Sequence, residues 1–433
     1  MSRNVVIVGG GLAGLAAALY LARGGRTVTI FEKKRQLGGR AATHLRHGYR
    51  FNLGAHAVYR GGAAARVYRE LGVPLRGGKP KSAGLAFVGD EAYKLPATPW
   101  SLLTSSLLSF QEKLQFAKLM LTVGRIETKP YTRVTTRDWL QQRFRSKRLR
   151  DVVEMFVRLA TYANAPDQQS AAATIEQLRL LRRGVLYIDE GWQKIVDALH
   201  SAAVAAGVNF VTSSRVVAVN YDTRVRSVEL GELELDDRMD TRNIAHPDLH
   251  PSGMHGARIP ADTVLLAVDP QTACALVGEH EITATWSACL PVKAACLDVG
   301  LSRLPEPRNT MAIGVDQPFY FSVHSTWAQL TPKGGAMVHA AKYLRDGETA
   351  EEAELEAVID RMQPGWRDAI VHKRWLPQMT VSNALVRPNT PRPAAATPIR
   401  GLYVAGDWVG TEGLLSDAAL ASARYAAKQI LAL

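Results

Sequence analysis

Cysteine is scarce in this chain of 433 residues: Cys274, Cys289 and Cys296 are the whole supply. Their spacing matches no metal-ligand pattern, and so few thiols exclude a disulfide-stapled scaffold and point to a reducing compartment. Long apolar runs are missing too. The most apolar stretch, 7–22, is rich in glycine and too short to cross a bilayer. A strand already begins at about residue 5, which leaves no room for a secretory signal, so a cytoplasmic location is expected. Acid is in short supply, with 40 Asp and Glu against 53 Lys and Arg, for a net charge of +13. The deficit is uneven: residues 111–184 hold 15 basic and 7 acidic side chains. No nucleic-acid motif accompanies this charge, so no nucleic-acid partner is expected. A solvated basic face and attraction to anionic lipid both account for it.

Against these absences stands one dense segment, 4–40. Residues 5–8 are a short β-branched run of the kind buried in parallel sheets. GGGLAG follows and fits G-x-G-x-x-G as Gly9, Gly11 and Gly14, opening an Ala/Leu-rich helix from Leu12 and Ala13 to Arg23. Thr27–Phe31 read as a second strand with Glu32 and Lys33 at its end. Gly9 allows the tight turn, Gly11 lets backbone approach a diphosphate, and Gly14 lets helix and strand pack closely. The helix N-terminus offers free N–H groups to phosphate, and Glu32 can accept hydrogen bonds from ribose hydroxyls. The pattern implies a Rossmann-type α/β fold that binds either NAD(P) or FAD.

The following residues separate those alternatives. LGGR places Gly38, Gly39 and Arg40 in an irregular turn, and GYRFNLGAHAVY brings an aromatic strand to Gly54, Ala55 and His56. A glutamate followed by a GGR turn and a G-x-x-F-N-x-G segment resembles the FAD-dependent superfamily of flavin amine oxidases, phytoene-type desaturases and protoporphyrinogen oxidases. The resemblance implies FAD. It implies that Glu32 binds the adenosine ribose, that Arg40 lies near the diphosphate or flavin, and that Gly54, Ala55 and His56 lie beside the isoalloxazine. The C-terminal segment GLYVAGDWVGTEGLLSDAALASARYAA resembles the same family's second FAD motif. By it, Gly406 and Asp407 face ribityl or diphosphate oxygens, and the backbone at Leu414 and Leu415 meets the flavin pyrimidine at a helix N-terminus. Asp417 departs from the Glu-Gly usual there. Between the two motifs, 216–219 read as a strand past the adenine, with Val217 as the expected contact.

The remaining segments suit a second, inserted unit. From 99 to 183 the pattern is helical, ending near Gly184; 285–345 alternates like an antiparallel sheet; and 349–363 is an acidic-faced helix. The expected organisation is a discontinuous FAD-binding domain, 1–82, 185–270 and 396–433, with a substrate domain from 83–184 and 271–395. Residues 230–262 are polar, and their histidines, His246, His250 and His255, lie among prolines that forbid a regular helix, so no metal is expected. For chemistry, His56 is a candidate proton acceptor beside the flavin, with Tyr59 a weaker one. Lys293 resembles the amine-oxidase lysine that holds a water near flavin N5. Leu415 stands where amine oxidases place an aromatic cage residue, and an aliphatic side chain there favours an apolar, conjugated or isoprenoid-like substrate over an amine. Leu102, Leu103, Leu107, Leu108 and Phe110 among basic neighbours suit either plain core or an interfacial entry region. The sequence gives no oligomeric state.

Overall fold

The structure, a computed structural model, describes residues 4–81, 83–231 and 256–433; the histidines His246, His250 and His255 lie outside them. One part is built on a five-stranded parallel sheet in the order Asn209–Val211, Thr27–Phe31, Asn4–Val8, Thr263–Leu266, Leu402–Val404. Val5 pairs with Val28 on one side and Thr263 on the other, so the first strand is central and buried on both faces. That burial explains its unbroken β-branched run. Strands 260 and 400 residues downstream thus complete a sheet that the N-terminus begins. The helix Leu12–Arg23 packs on the long final helix, Leu415–Leu431, through alanine-rich faces that let the backbones approach.

The second part is a seven-stranded sheet in the order Ile370–Ser382, Val292–Leu301, Ala336–Leu344, Phe319–Val323, Met311–Gly314, Leu85–Val88, Glu91–Lys94. The sequence suggests a wholly antiparallel sheet. Met311–Gly314 instead runs parallel to Leu85–Val88, because the hairpin that precedes the helical insert closes the sheet's far edge. Both faces are covered. Helix Glu352–Met362 packs Leu355 and Ile359 on Leu297, Val299 and Phe321. The helical insert packs Trp139, Phe156 and Ile175 toward Cys296, Ile313 and Tyr343 on the opposite face. Strand parity therefore assigns each side chain to one cover or the other.

Helices of the insert before Ala171–Arg182 close their N-termini with their own side chains. Ser109 and Glu112 form a reciprocal capping box on Phe110–Thr122, and Thr135 and Ser146 cap the helices Thr136–Arg143 and Lys147–Thr161. The last long helix, Ala171–Arg182, ends one residue before the glycine stop: Arg183 is its C-cap, and Gly184 follows at φ +75°. Among the described residues no helix is long and apolar enough to cross a membrane.

Candidate functional site

A single cavity of ≈ 1310 Å³ runs from the glycine-rich turn to the helical insert. At its nucleotide end, Gly9 adopts φ +106° to turn the chain, and a Cβ there would meet the Ala267 carbonyl oxygen at 2.6 Å. A Cβ on Gly14 would lie 2.0 Å from the Gly9 carbonyl oxygen, so close helix–strand packing excludes any side chain. Gly11 is different: nothing lies nearer to an added Cβ than the Gly38 carbonyl oxygen at 4.0 Å. Its space is open to the cavity. Gly11 and Leu414 are the N-caps of Leu12–Arg23 and Leu415–Leu431, and neither helix receives a side-chain cap. Their first N–H groups are left for another partner.

Glu32 is buried and oriented by backbone. Its carboxylate accepts from the N–H of Gly10 at 2.7 Å and of Lys34 at 2.9 Å. Each oxygen keeps a second lone pair for a hydroxyl donor. Arg40 reaches across to the other end of the chain, placing Nη1 2.8 Å from Asp407 Oδ2 and 3.0 Å from the Val381 carbonyl oxygen. Asn383 donates to the same carboxylate from its backbone N–H at 3.0 Å and from Nδ2 at 2.9 Å. Burial pushes the Asp407 carboxyl up, but Arg40 and Asn383 outweigh it and hold it below the usual range. Asp407 is thereby a buried anion that aims Arg40. Leu415, in the next motif, holds the left-handed conformation at φ +55°, an uncommon state for a side chain of its bulk, and it faces the cavity.

His56 borders the cavity edge-on to Trp192, with ring centroids 5.0 Å apart. Its Nδ1 lies 3.0 Å from the Gly54 carbonyl oxygen. A carbonyl only accepts, so the neutral ring carries its proton on Nδ1 and leaves Nε2 as acceptor. Burial lowers its pKa, partly opposed by the Gly54 carbonyl, so the ring is neutral at pH 7. Tyr59 also borders the cavity, but its hydroxyl donates to the Ala160 carbonyl at 2.8 Å and serves the fold.

The cavity wall gathers Gly9, Gly11, Leu12, Ala13, Glu32, Lys33, Gly39, Arg40, Ala55, His56, Gly406, Asp407 and Leu415. Gly14 and Gly54 stand just behind it, Gly14 on Gly9 and Gly54 against Met379 and Cys296. Two expectations are corrected. Val217 is 40% exposed, and it is Val216 of the same strand that borders the cavity; the pairing is irregular between Val216 and Ala218, so the next buried position is Val219 rather than Ala218. Lys293 is not on the wall. It shares parity with Ala295, Leu297 and Val299, which face helix Glu352–Met362, while Cys296 faces the insert. The sheet side toward the cavity instead offers Tyr320 and His324, joined by Tyr187, Leu376 and Met379. Sequence reading missed these. FYFSVHS carries the alternation that puts Tyr320 and His324 on one face, but nothing local says which face.

The far end of the cavity is mostly apolar, with Leu102, Phe116, Met120 and Leu121 on its walls and Arg182 among them. Around this mouth Trp100 is 72% exposed and Phe110 74%, and Leu103, Leu114 and Leu121 are exposed as well. The carboxylates that border the cavity among the described residues, Glu32, Asp269 and Asp407, all belong to the nucleotide end. Uncapped helix ends, the open cradle at Gly11 and the oriented Glu32 fit a dinucleotide, and the same continuous cavity leaves further room for a flat ring and an apolar substrate.

Comparison with known proteins agrees with that geometry. A family model described as flavin containing amine oxidoreductase matches residues 12–285. Among curated proteins, a carotenoid 3,4-desaturase of Haloarcula japonica is 51% identical over 51 residues, 12% of this chain and 10% of that protein. The match therefore spans about a tenth of the relative's length. Among solved structures, an oxidoreductase from Methanosarcina mazei superposes with a TM-score of 0.75 at 18% identity, covering 98% of this chain and 100% of the other. Cyclohexylamine oxidase from Brevibacterium oxydans gives 0.67 at 13% identity, covering 99% and 100%. At such identities these two similarities establish the fold alone.

Proposed function

The chain belongs to the flavin containing amine oxidoreductase family, and within it we propose an FAD-dependent dehydrogenase or desaturase that takes hydride from an apolar, conjugated or isoprenoid-like substrate. FAD is the expected flavin because the cradle at Gly11 and the ribose-facing Glu32 suit its adenosine diphosphate half. When bound, the flavin supplies an electron-pair acceptor for a substrate C–H bond. The chain's own residues do the rest. Arg40, aimed by Asp407 and Asn383, offers charge to the cofactor's diphosphate or ring. His56 Nε2 is the proposed acceptor for the proton lost with the hydride. Leu102, Phe116 and Met120 exclude water from the substrate's chain.

The observation that carries this reading is the mostly apolar mouth of the cavity, where no carboxylate among the described residues borders it beyond its nucleotide end. A charged amine would find no counter-ion there among the described residues. An apolar substrate arrives from a bilayer, and the exposed Trp100, Leu103 and Phe110, with Lys113 and Lys118 on the same helical pair, support peripheral docking on an anionic membrane at its cytoplasmic face. The test is anaerobic bleaching of the flavin by a panel of acyclic polyenes, protoporphyrinogen and amines, followed by peroxide assay in air. Bleaching by a polyene is expected. Peroxide released with an amine and no response to polyenes would move the assignment to an amine oxidase. Trp100→Asp with Phe110→Asp should abolish co-sedimentation with phosphatidylserine vesicles and leave the melting temperature unchanged; retained sedimentation would refute the docking face.

A further inference from the structure

The charges on the cavity wall are unevenly matched. Arg40 is paired with Asp407, and Lys33, Lys34 and Arg215 stand near Glu32 at the nucleotide end. Two further cations border the cavity, Lys81 and Arg182. Lys81 follows the short strand Gly77–Gly78, which runs antiparallel to Val185–Ile188 with Gly78 opposite Tyr187. Beyond Gly78 the chain therefore heads toward the end of that strand at which Arg182 enters, from the last turn of the helix Ala171–Arg182. Both side chains are exposed. Lys81 Nζ lies 5.8 Å from the centroid of the Trp327 ring. Arg182 Nη1 stands 3.6 Å from the point a Cβ on Gly124 would occupy, three residues beyond Leu121 of the cavity wall. Among the described residues neither side chain has a carboxylate or hydrogen-bond partner.

Cations on an open surface are solvated and attract little. These two differ in their setting. They share the wall with Leu102, Phe116, Met120 and Leu181, and no carboxylate among the described residues borders this end to answer them. A cleft lined by one sign of charge, with low-dielectric walls, focuses its field on whatever enters. The segment 111–184, with 15 basic side chains against 7 acidic, adds to the same potential. An anion gains from both residues, from the planar fork of Arg182 and from Lys81 as a point charge. A hydrocarbon gains nothing from them, and a protonated amine is repelled.

We propose that Lys81 and Arg182 form a subsite for an anionic group, a carboxylate or phosphate, carried at one end of the substrate's apolar chain. This rests on the apolar-substrate reading and narrows it, from a pure hydrocarbon to an amphiphile. The chain lies against Leu102, Phe116 and Met120, and the charged end stays where water still reaches the two cations. The anion is thus held without the cost of full burial.

Farnesoic acid and its methyl ester share a carbon chain and differ in one charge. Calorimetry with the FAD-loaded protein measures the binding of each. A wall indifferent to charge would favour the ester, since the acid must shed water. The acid is expected to bind roughly fivefold or more tightly, by a margin that shrinks as salt is raised. Arg182→Gln and Lys81→Gln should each weaken the acid about twofold or more. The double substitution should abolish the preference and leave the ester's affinity and the melting temperature unchanged, because both side chains are exposed. An ester that binds as tightly as the acid, or a preference that survives the double substitution, overturns the subsite alone. So does a double substitution that lowers co-sedimentation with phosphatidylserine vesicles and leaves the acid's affinity unchanged, which would assign the pair to lipid headgroups. Failure of both probes to bind overturns the apolar-substrate reading along with it.

Discussion

The two ends of the cavity are made in different ways. At the nucleotide end the wall is largely backbone: helix N-termini without side-chain caps, a glycine with open space, and a glutamate held by two backbone N–H groups. At the other end the insert's helices before Ala171–Arg182 cap themselves, and the wall is side chains drawn from the insert, from 185–188 and from the central sheet. Backbone recognises what every member of a family shares, a phosphate and a ribose. Side chains recognise what differs. The first kind of wall needs particular glycines at particular spacings; the second needs only a tertiary arrangement, which many sequences can supply.

That contrast is sharpest at the glycines, and breaking it there should give the largest effect. Gly14→Val forces the helix off the first strand, because its Cβ would lie 2.0 Å from the Gly9 carbonyl oxygen. We expect loss of bound flavin and a fall in melting temperature above ~10 °C, as for other severe backbone clashes. Gly11→Ala should change stability by no more than about 0.5 kcal/mol, since its Cβ meets open space. It should still weaken FAD at least tenfold, and calorimetry with FAD titration separates the outcomes. Equal effects of the two would show that phosphate approach and fold are not separable here.

On the substrate side the comparable break is electrostatic. Asp298→Asn leaves the part-buried Arg374 beside a neutral group and should cost about 1.5–3 kcal/mol in chemical denaturation. Burial pushes Asp298 up, but His339 and Arg374 hold it below the usual carboxylate range. Its contribution is therefore present above pH ~4 and lost as pH falls further. The variant's stability curve should be flatter on that acid limb.

Asp417 tests the seam between the two modes, with the opposite sign. It caps the helix Ala63–Leu71 from a distance, accepting from the Ala64 N–H at 2.7 Å, while its other oxygen is buried without a partner. Burial raises its pKa to about 6, against the Ala64 N–H. The stability it gives is complete below pH ~4 and declines as pH rises through about 6. Asp417→Asn should then stabilise by up to about 3 kcal/mol at pH 7.5, with the gain vanishing near pH 4. A gain independent of pH would assign the effect to packing instead. The smallest expected difference is on one strand: Val216→Ala should weaken FAD a few-fold and Val217→Lys should leave it within ~2-fold, because Val216 borders the cavity and Val217 is exposed outside it.

Much of this was legible in the chain. The turn at Gly9, the acid at Glu32, the GGR turn and the C-terminal turn at Asp407 are short patterns whose meaning lies in a few neighbouring residues. What escaped was sidedness. Lys293 and Cys296 are three residues apart and lie on opposite covers of one sheet. Val216 and Val217 are adjacent and equally apolar. The bond from Asn383 to Asp407 and the Arg40–Asp407 pair have no sequence signature, because their partners come from remote segments.

By itself the sequence determined the parallel sheet, the dinucleotide cradle and the flavin family, since those follow from backbone sterics and hydrogen bonding acting over one strand, turn and helix. Only the tertiary structure decided which side chains line the rest of the cavity. A strand's alternation creates two faces, and which of them meets the cavity depends on covers supplied by residues far along the chain.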